Sequence, residues 1–307
     1  MNVHTRAATL DDAAAIDEML NAYSLVHQGR SLGPGAALDR LGRPEGVAAL
    51  VEDRSGQVLG FGHAWPAGSA VRCYARVRPD AIGRGVGTAL LAHLEQRARV
   101  FDLPMFNVMQ PGTDTAGPAL LRATGYTELC HRLQMRTRLE SYLRPPAPLP
   151  ANVQILGFDR DRDEAGLFAA FRVAFPDDPV QEAEWWQERH NAAPASPSVP
   201  ALWFIARQVG ADDTPGPIVG FSLGSRREWQ GAPDGYVSDV GVVPAYRGAG
   251  VGFALLTGTM AAFADAGLPT ATLDVDADNL TGALRLYRKA GLDATPLSTE
   301  WTKQLSG

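Results

Sequence analysis

The chain has 307 residues, 45% hydrophobic and 20% charged, which is enough apolar side chain to order two domains and too much for a disordered protein. Lys and Arg number 28 against 34 Asp and Glu, a net charge of −6, so the cationic excess that a phosphate backbone demands is missing and nucleic acid is a poor partner. Two cysteines, Cys73 and Cys130, make no disulfide framework and have no C-x-x-C spacing. His4, His27, His63, His93, His131 and His190 are scattered without ligand spacing, so no metal site is expected.

In chain order, the opening MNVHTRAATLDDAAAIDEML carries acids where a signal peptide carries an apolar segment, and no apolar run reaches the ~18 residues of a membrane span. A cytoplasmic protein with no membrane partner is expected. The next marked features are a glycine turn in RPDAIGRGVGTALL (78–91) and the segment LLRATGY (120–126). SYLRPPAPLPAN (141–152) follows, where Pro145, Pro146, Pro148 and Pro150 fix φ and favour an extended polyproline II spacer. The expected division is a first domain over 1–140, this linker over 141–152 and a second domain over 153–307.

A repeat supports that division. RPDAIGRGVGTALL aligns with VPAYRGAGVGFALL (243–256), setting Pro79 over Pro244, Gly85 over Gly250 and Gly87 over Gly252, and LLRATGY aligns with LYRKAGL (286–292) at nearly the same displacement. Two separate segments keeping order and distance indicate two copies of one domain. In the second copy NVQILGF reads as a strand, DRDEAGLFAAFRVAF and PVQEAEWWQERH as helices, and ALWFIARQ, PIVGFSLGS and GYVSDVGVV as strands. After the glycine turn come a helix near Phe253–Ala266, the strand TATLDVDA, a helix near Leu280–Ala290 and a short closing pair around LDATPL and STEWTKQ. This order predicts an α/β (α+β) fold in each copy, a mixed and mostly antiparallel sheet flanked by helices.

Val240–Gly252 is the most informative stretch. A strand ends in V-x-V-x-P, and Arg247 introduces Gly248, Ala249, Gly250, Val251 and Gly252 before a helix. Such a loop presents consecutive N–H groups at a positive helix end, suited to a phosphate or pyrophosphate that side chains would keep at a distance. The alternatives are a tight turn that binds nothing and a dinucleotide fingerprint. Against the fingerprint, its third glycine would fall on Leu255, and Pro244–Arg247 lengthens a turn that should be short; a P-loop would need G-K-[ST].

VVPAYRGAGVG resembles the acyl-CoA pyrophosphate loop of the GCN5-related N-acetyltransferase (GNAT) superfamily, R/Q-x-x-G-x-G/A after a bulged strand, and LDVDADNLTGALRLYRKAGL resembles its later signature of an Asn and a Tyr-bearing helix ending in Gly. The resemblance covers most of 151–307 and, more weakly, 1–140, and the duplication is similar to that of mycothiol synthase and related two-domain acetyltransferases. It implies two tandem GNAT-like domains and acetyl-CoA as acyl donor, with no metal. The backbone of Val240, Gly241 and Val242 would follow the pantetheine arm, the loop from Arg247 to Gly252 would hold the pyrophosphate, and Asn279 would belong to the cofactor site. Tyr287 stands at the family's general acid, with packing between helix and sheet as the alternative. Asp274 takes the position of a catalytic Glu in ribosomal-protein acetyltransferases, with Asp239 as the competing base and solvated carboxylates as the plain alternative for both. The implied reaction is acetyl transfer to the primary amine of a small-molecule or peptide acceptor. Acetylation of an amino-sugar conjugate, as by mycothiol synthase, and a non-catalytic acyl-CoA-responsive module are the alternatives.

The first copy departs from this pattern. Gly83, Gly85 and Gly87 persist, but Ile82 stands for Arg247, Val108 for Asp274, Thr113 for Asn279 and Leu121 for Tyr287. It is expected to be non-catalytic, either structural or a weak CoA binder. Gly220, Ser222 and Gly224 match the G-x-S-x-G hydrolase spacing, but a loop follows and no histidine comes after His190. Trp185 and Trp186 are either acceptor-pocket or core aromatics. Against the mycothiol synthase pattern, Tyr236 stands at an acidic substrate contact and Ser225 at a lysine.

Overall fold

The structure, a computed structural model, describes residues 3–32, 35–42, 45–178, 180–183, 185–186, 202–210, 212, 214–229, 231–277 and 282–305. Asn279 lies outside them. The first copy runs β1 (His4–Ala7), α1 (Ala13–Gln28), α2 (Leu38–Leu41), β2 (Val47–Glu52), β3 (Val58–Ala67), β4 (Ala70–Val77), α3 (Val86–Ala98), β5 (Met105–Pro111), α4 (Gly117–Ala123) and β6 (Thr127–Arg138). The second runs β7 (Val153–Gly157), α5 (Arg160–Ala174), β8 (Trp203–Val209), β9 (Pro215–Trp229), β10 (Ala232–Val242), α6 (Val251–Asp265), β11 (Thr270–Asp276), α7 (Ala283–Lys289) and β12 (Asp293–Gln304).

Two compact units result, one of Met1–Leu133, Asp276–Asp278 and Pro296–Gly307, the other of Gln134–Val275 and Asn279–Thr295. The strand order within each unit follows one plan. In the first it is β1-β2-β3-β4-β5-β12 and in the second β7-β8-β9-β10-β11-β6, so each set of five strands is closed by a strand from the other sequence copy. Neighbours in the first unit are antiparallel except β4 and β5, and β10 with β11 is the matching parallel pair of the second. Helices flank a mixed, mostly antiparallel sheet, as the element order predicts.

The chain's end differs from the expected closing pair. One twelve-residue strand stands there, paired with β5 from Ser298↔Pro111 to Gln304↔Met105. Its alternation turns Trp301 inward, where it is fully buried with Leu94, Phe106 and Tyr126 in the core beneath α3. A second core in that unit packs Ile16, Met19 and Leu20 of α1 against Leu50 and Phe61.

Local chemistry accounts for the helix limits. Asp159 caps α5, accepting from the Arg162 N–H at 3.0 Å, and α1 stops at Gly29, whose φ of +69° is left-handed. α6 is buried around most of its circumference, consistent with its nearly unbroken apolar sequence. Part of that cover is the Pro-rich stretch after β6, where Arg144 donates to the Ala254 carbonyl at 3.2 Å.

Candidate functional site

In both copies the glycine turn has the same backbone. A short 3₁₀ turn, Pro79–Ala81 or Pro244–Tyr246, leads to paired left-handed glycines: Gly83 at +77° and Gly85 at +80° in the first copy, Gly248 at +76° and Gly250 at +86° in the second. Residues with a Cβ rarely take this conformation, and a Cβ on Gly250 would lie 2.8 Å from the Pro148 carbonyl oxygen. α6 begins directly after, and its first ladder bond is Ala254 N–H to the Gly250 carbonyl at 3.0 Å, so the N–H groups of Val251, Gly252 and Phe253 precede the ladder. Such a cradle fits an anionic diphosphate. Arg247 braces it, donating from Nε to the Val242 carbonyl at 3.0 Å and from Nη2 to the Ala174 carbonyl at 2.9 Å.

The strand before each turn leaves its parallel neighbour. β4 and β5 pair from Ala70↔Met105 to Cys73↔Val108, and β4 then continues unpaired on that side to Val77; β10 and β11 pair at Gly235↔Ala271 and Tyr236↔Thr272 before parting. Val240, Gly241 and Val242 lie on the parted stretch, where backbone groups are released from the parallel ladder. Gly241 is buried, and a Cβ there would collide with the ring of Phe221 on β9. β10 also bulges between Val237 and Asp239 against β9, whereas β3 and β4 pair from Gly60↔Val77 to Ala67↔Ala70 without interruption. A bulge bends its strand and re-aims the residues beside it, here Asp239 in the second copy.

Tyr287 lies within electrostatic reach of Asp239, and Tyr236 within reach of both Asp239 and Asp274. Tyr287, on α7, is 9% exposed; burial first, and the charge of Asp239 second, push its phenol up to about 12, so it stays protonated at neutral pH. Asp274, on β11, accepts from Tyr236 Oη at 3.4 Å and Gln134 Nε2 at 3.5 Å. Tyr236 is pushed up to about 12 by burial, then by Asp274, with Asp239 adding in the same direction, and Arg227 lies 3.8 Å over its ring. Tyr236 thus feels both carboxylates. Gln134 and Arg227 carry no motif; Gln134 comes from the last strand of the first sequence copy, so only the strand exchange brings it here.

Other singled-out residues are placed elsewhere. Ser222 is fully buried in mid-β9 and accepts from Thr259 Oγ1 at 2.8 Å. Trp185 is buried with Phe168 and Phe171, and Trp186 lies near Phe158 and Trp203. In the first copy Val108 and Leu121 are buried, and they line a cavity of about 480 Å³ together with Gly83, Gly85, Gly87 and Arg76. That cavity occupies the parted β4–β5 gap and reaches the start of α3, which joins a volume for an organic ligand to an anion cradle.

The Acetyltransferase (GNAT) family model matches the chain twice, over 16–111 and 165–292. A mycothiol acetyltransferase of Thermomonospora curvata is 33% identical over 257 residues, covering 82% of this chain and 80% of that protein. One from Parafrankia sp. is 31% identical over 314 residues and covers 93% of each. Among solved structures, a GCN5-related N-acetyltransferase from Sphaerobacter thermophilus superposes with a TM-score of 0.77 at 26% identity, covering 99% of this chain and 96% of that one. A tandem GNAT protein from the clavulanic acid biosynthesis pathway superposes at 0.69 and 14% identity, a likeness of fold, over 100% and 99%.

Proposed function

Because the chain belongs to the Acetyltransferase (GNAT) family and carries two copies of its domain in tandem, it is an N-acetyltransferase, and we propose that it transfers acetyl from acetyl-CoA to the primary amine of a small molecule, with the chemistry in the second copy. When bound, acetyl-CoA supplies an activated acyl thioester. The amides from Gly248 to Gly252 and the end of α6 fit its diphosphate, and the parted backbone of Val240, Gly241 and Val242 suits the pantetheine arm. The protein must also take a proton from the amine and return one to the leaving thiolate.

Tyr287 is the proton donor in this reading. A buried phenol held neutral offers its hydrogen only to a strong base, and a thiolate formed in a dry gap is one. Asp274 is the favoured proton acceptor, held by Tyr236 and Gln134 at the strand parting, with Asp239 as its rival beside the bulge. The observation that carries the proposal is the glycine cradle at the end of β10, a strand that parts from β11 and bears Asp239, whose charge is felt by the buried Tyr287 of α7. The first copy has the cradle without these groups, and it serves as a CoA-thioester binding domain.

The similarity to mycothiol acetyltransferases favours a second reading for the acceptor, an amino-sugar conjugate of the mycothiol kind. Tyr236 weighs against it, since its hydroxyl is engaged by Asp274 and its ring by Arg227. Amine-dependent release of free CoA thiol, measured over a panel of small amines and amino-sugar conjugates, tests both. Release with a primary amine supports transfer, the most efficient acceptor decides between the readings, and no release with any amine removes the enzymatic proposal for this site.

A further inference from the structure

The first copy's cavity has a feature that the second site lacks. Arg76 lies on β4 past the last parallel pair, Cys73↔Val108, and its guanidinium reaches across the parted strands, donating from Nη1 to the Ala75 carbonyl at 2.7 Å and to the Met109 carbonyl of β5 at 3.3 Å. Sheet register fixes its counterpart. Arg76 is opposite Phe61 as Gly241 is opposite Phe221, and in each case the next residue, Val77 or Val242, faces Gly60 or Gly220. Where the second copy has a glycine hydrogen, the first has a cation.

That cation is only 8% exposed and lines the cavity. Among the described residues it forms no ion pair, and both of its described hydrogen bonds go to neutral carbonyls, although a guanidinium offers five N–H donors. The rings of Tyr74 and Tyr23, at 4.1 and 5.3 Å, supply partial compensation. The cavity's own carboxylate, Asp114, is already engaged: it accepts from the N–H groups of Ala116 and Gly117 at 3.1 Å and from Tyr23 Oη at 3.2 Å. A buried cation with neutral partners favours an incoming anion, and the planar fork of arginine matches a carboxylate in particular.

We propose that the first-copy cavity binds a coenzyme A thioester whose acyl group ends in a carboxylate, a malonyl or succinyl type of group, and that Arg76 is the residue that selects it. This rests on reading the 82–88 turn as a CoA cradle. The diphosphate occupies the amides beside Gly83 and Gly85, the pantetheine arm fills the strand gap, and the acyl carboxylate meets Arg76 where the strands part. The second copy, with Gly241 at that place, has no such preference.

Site-resolved hydrogen–deuterium exchange on the full chain tests this, with CoA, acetyl-CoA, malonyl-CoA and succinyl-CoA titrated separately. Peptides across 82–91 and 247–256 report the two turns. The expected result is half-protection of 82–91 by malonyl- or succinyl-CoA at a concentration about tenfold or more below that needed with acetyl-CoA, and no such preference at 247–256. Arg76→Gln should abolish the preference while leaving protection by unacylated CoA within about threefold, and Arg76→Lys should restore part of it. Equal protection of 82–91 by acetyl- and malonyl-CoA in the unaltered protein, or a preference surviving in Arg76→Gln, overturns the role of Arg76 and leaves the cradle standing. Absence of protection at 82–91 with every thioester overturns the cradle as well. The ligand series on the unaltered protein needs no variant, so it decides the question even if Arg76→Gln folds poorly.

Discussion

Replacing Tyr287 by Phe removes one oxygen from a side chain that is 9% exposed and whose hydroxyl has no hydrogen bond among the described residues. Fold and packing should survive, so a change in kcat reports chemistry. Loss of a positioned proton donor costs about 10² to 10⁴ in rate, or roughly 3–5 kcal/mol of barrier. Because the hydroxyl is remote from the glycine turn in sequence and is not part of the cradle, KM for acetyl-CoA should move by less than about threefold. The assay is steady-state release of CoA thiol with the best acceptor found, alongside a thermal unfolding scan. Titration supplies a second readout. Burial raises the phenol from 10.0 to about 12, so its neutral form contributes stability that is intact below pH 10 and is lost as pH climbs toward 12. The Phe variant should therefore lose less stability than the parent over that alkaline window. A kcat within about threefold of the parent, with an unchanged alkaline unfolding profile, would remove Tyr287 from the mechanism.

Asp274→Asn should lower kcat/KM by about 10² or more, with Asp239→Asn giving a smaller fall; the reverse ranking makes Asp239 the base. Trp301→Ala should cost about 3–5 kcal/mol, and despite its place near the chain's end the lost exchange protection should appear in β5 rather than in β10. Asp163 is fully buried between Arg162 and Arg207, each at 2.6 Å. Burial alone would push its carboxyl up, but hydrogen bonds from Arg162, the Asp159 N–H and Arg207 hold it below the ordinary range. Its contribution is thus present above the usual carboxylate pKa and lost as pH falls through the lowered one, and Asp163→Asn should lower the urea midpoint by the equivalent of about 3–5 kcal/mol at neutral pH while shrinking the acid-dependent loss.

The duplicated architecture was legible because glycine leaves a trace that survives divergence. Gly83 and Gly85 repeat the left-handed angles of Gly248 and Gly250 although Arg247 and Ala249 are replaced by Ile82 and Arg84, and a conformation that residues with a Cβ rarely adopt preserves its sequence signature. Tyr287 and Asp239 could be named only through the resemblance of the two motifs around them to the GNAT superfamily. The exchange of closing strands could not, since nothing in the sequence of β6 or β12 states which neighbour it pairs with. Gln134 was invisible for that reason. Arg76 was hidden differently: its significance depends on register against Phe61 and on the parting of β4 from β5, neither of which a single sequence displays.

A crystal structure of the full chain grown with saturating acetyl-CoA tests the central claim most directly. The diphosphate should lie on the main-chain amides from Gly248 to Gly252, with the thioester between β10 and β11 and within reach of Tyr287. A second turn left empty under those conditions, or filled by a nucleotide that active protein requires in place of acetyl-CoA, would contradict it.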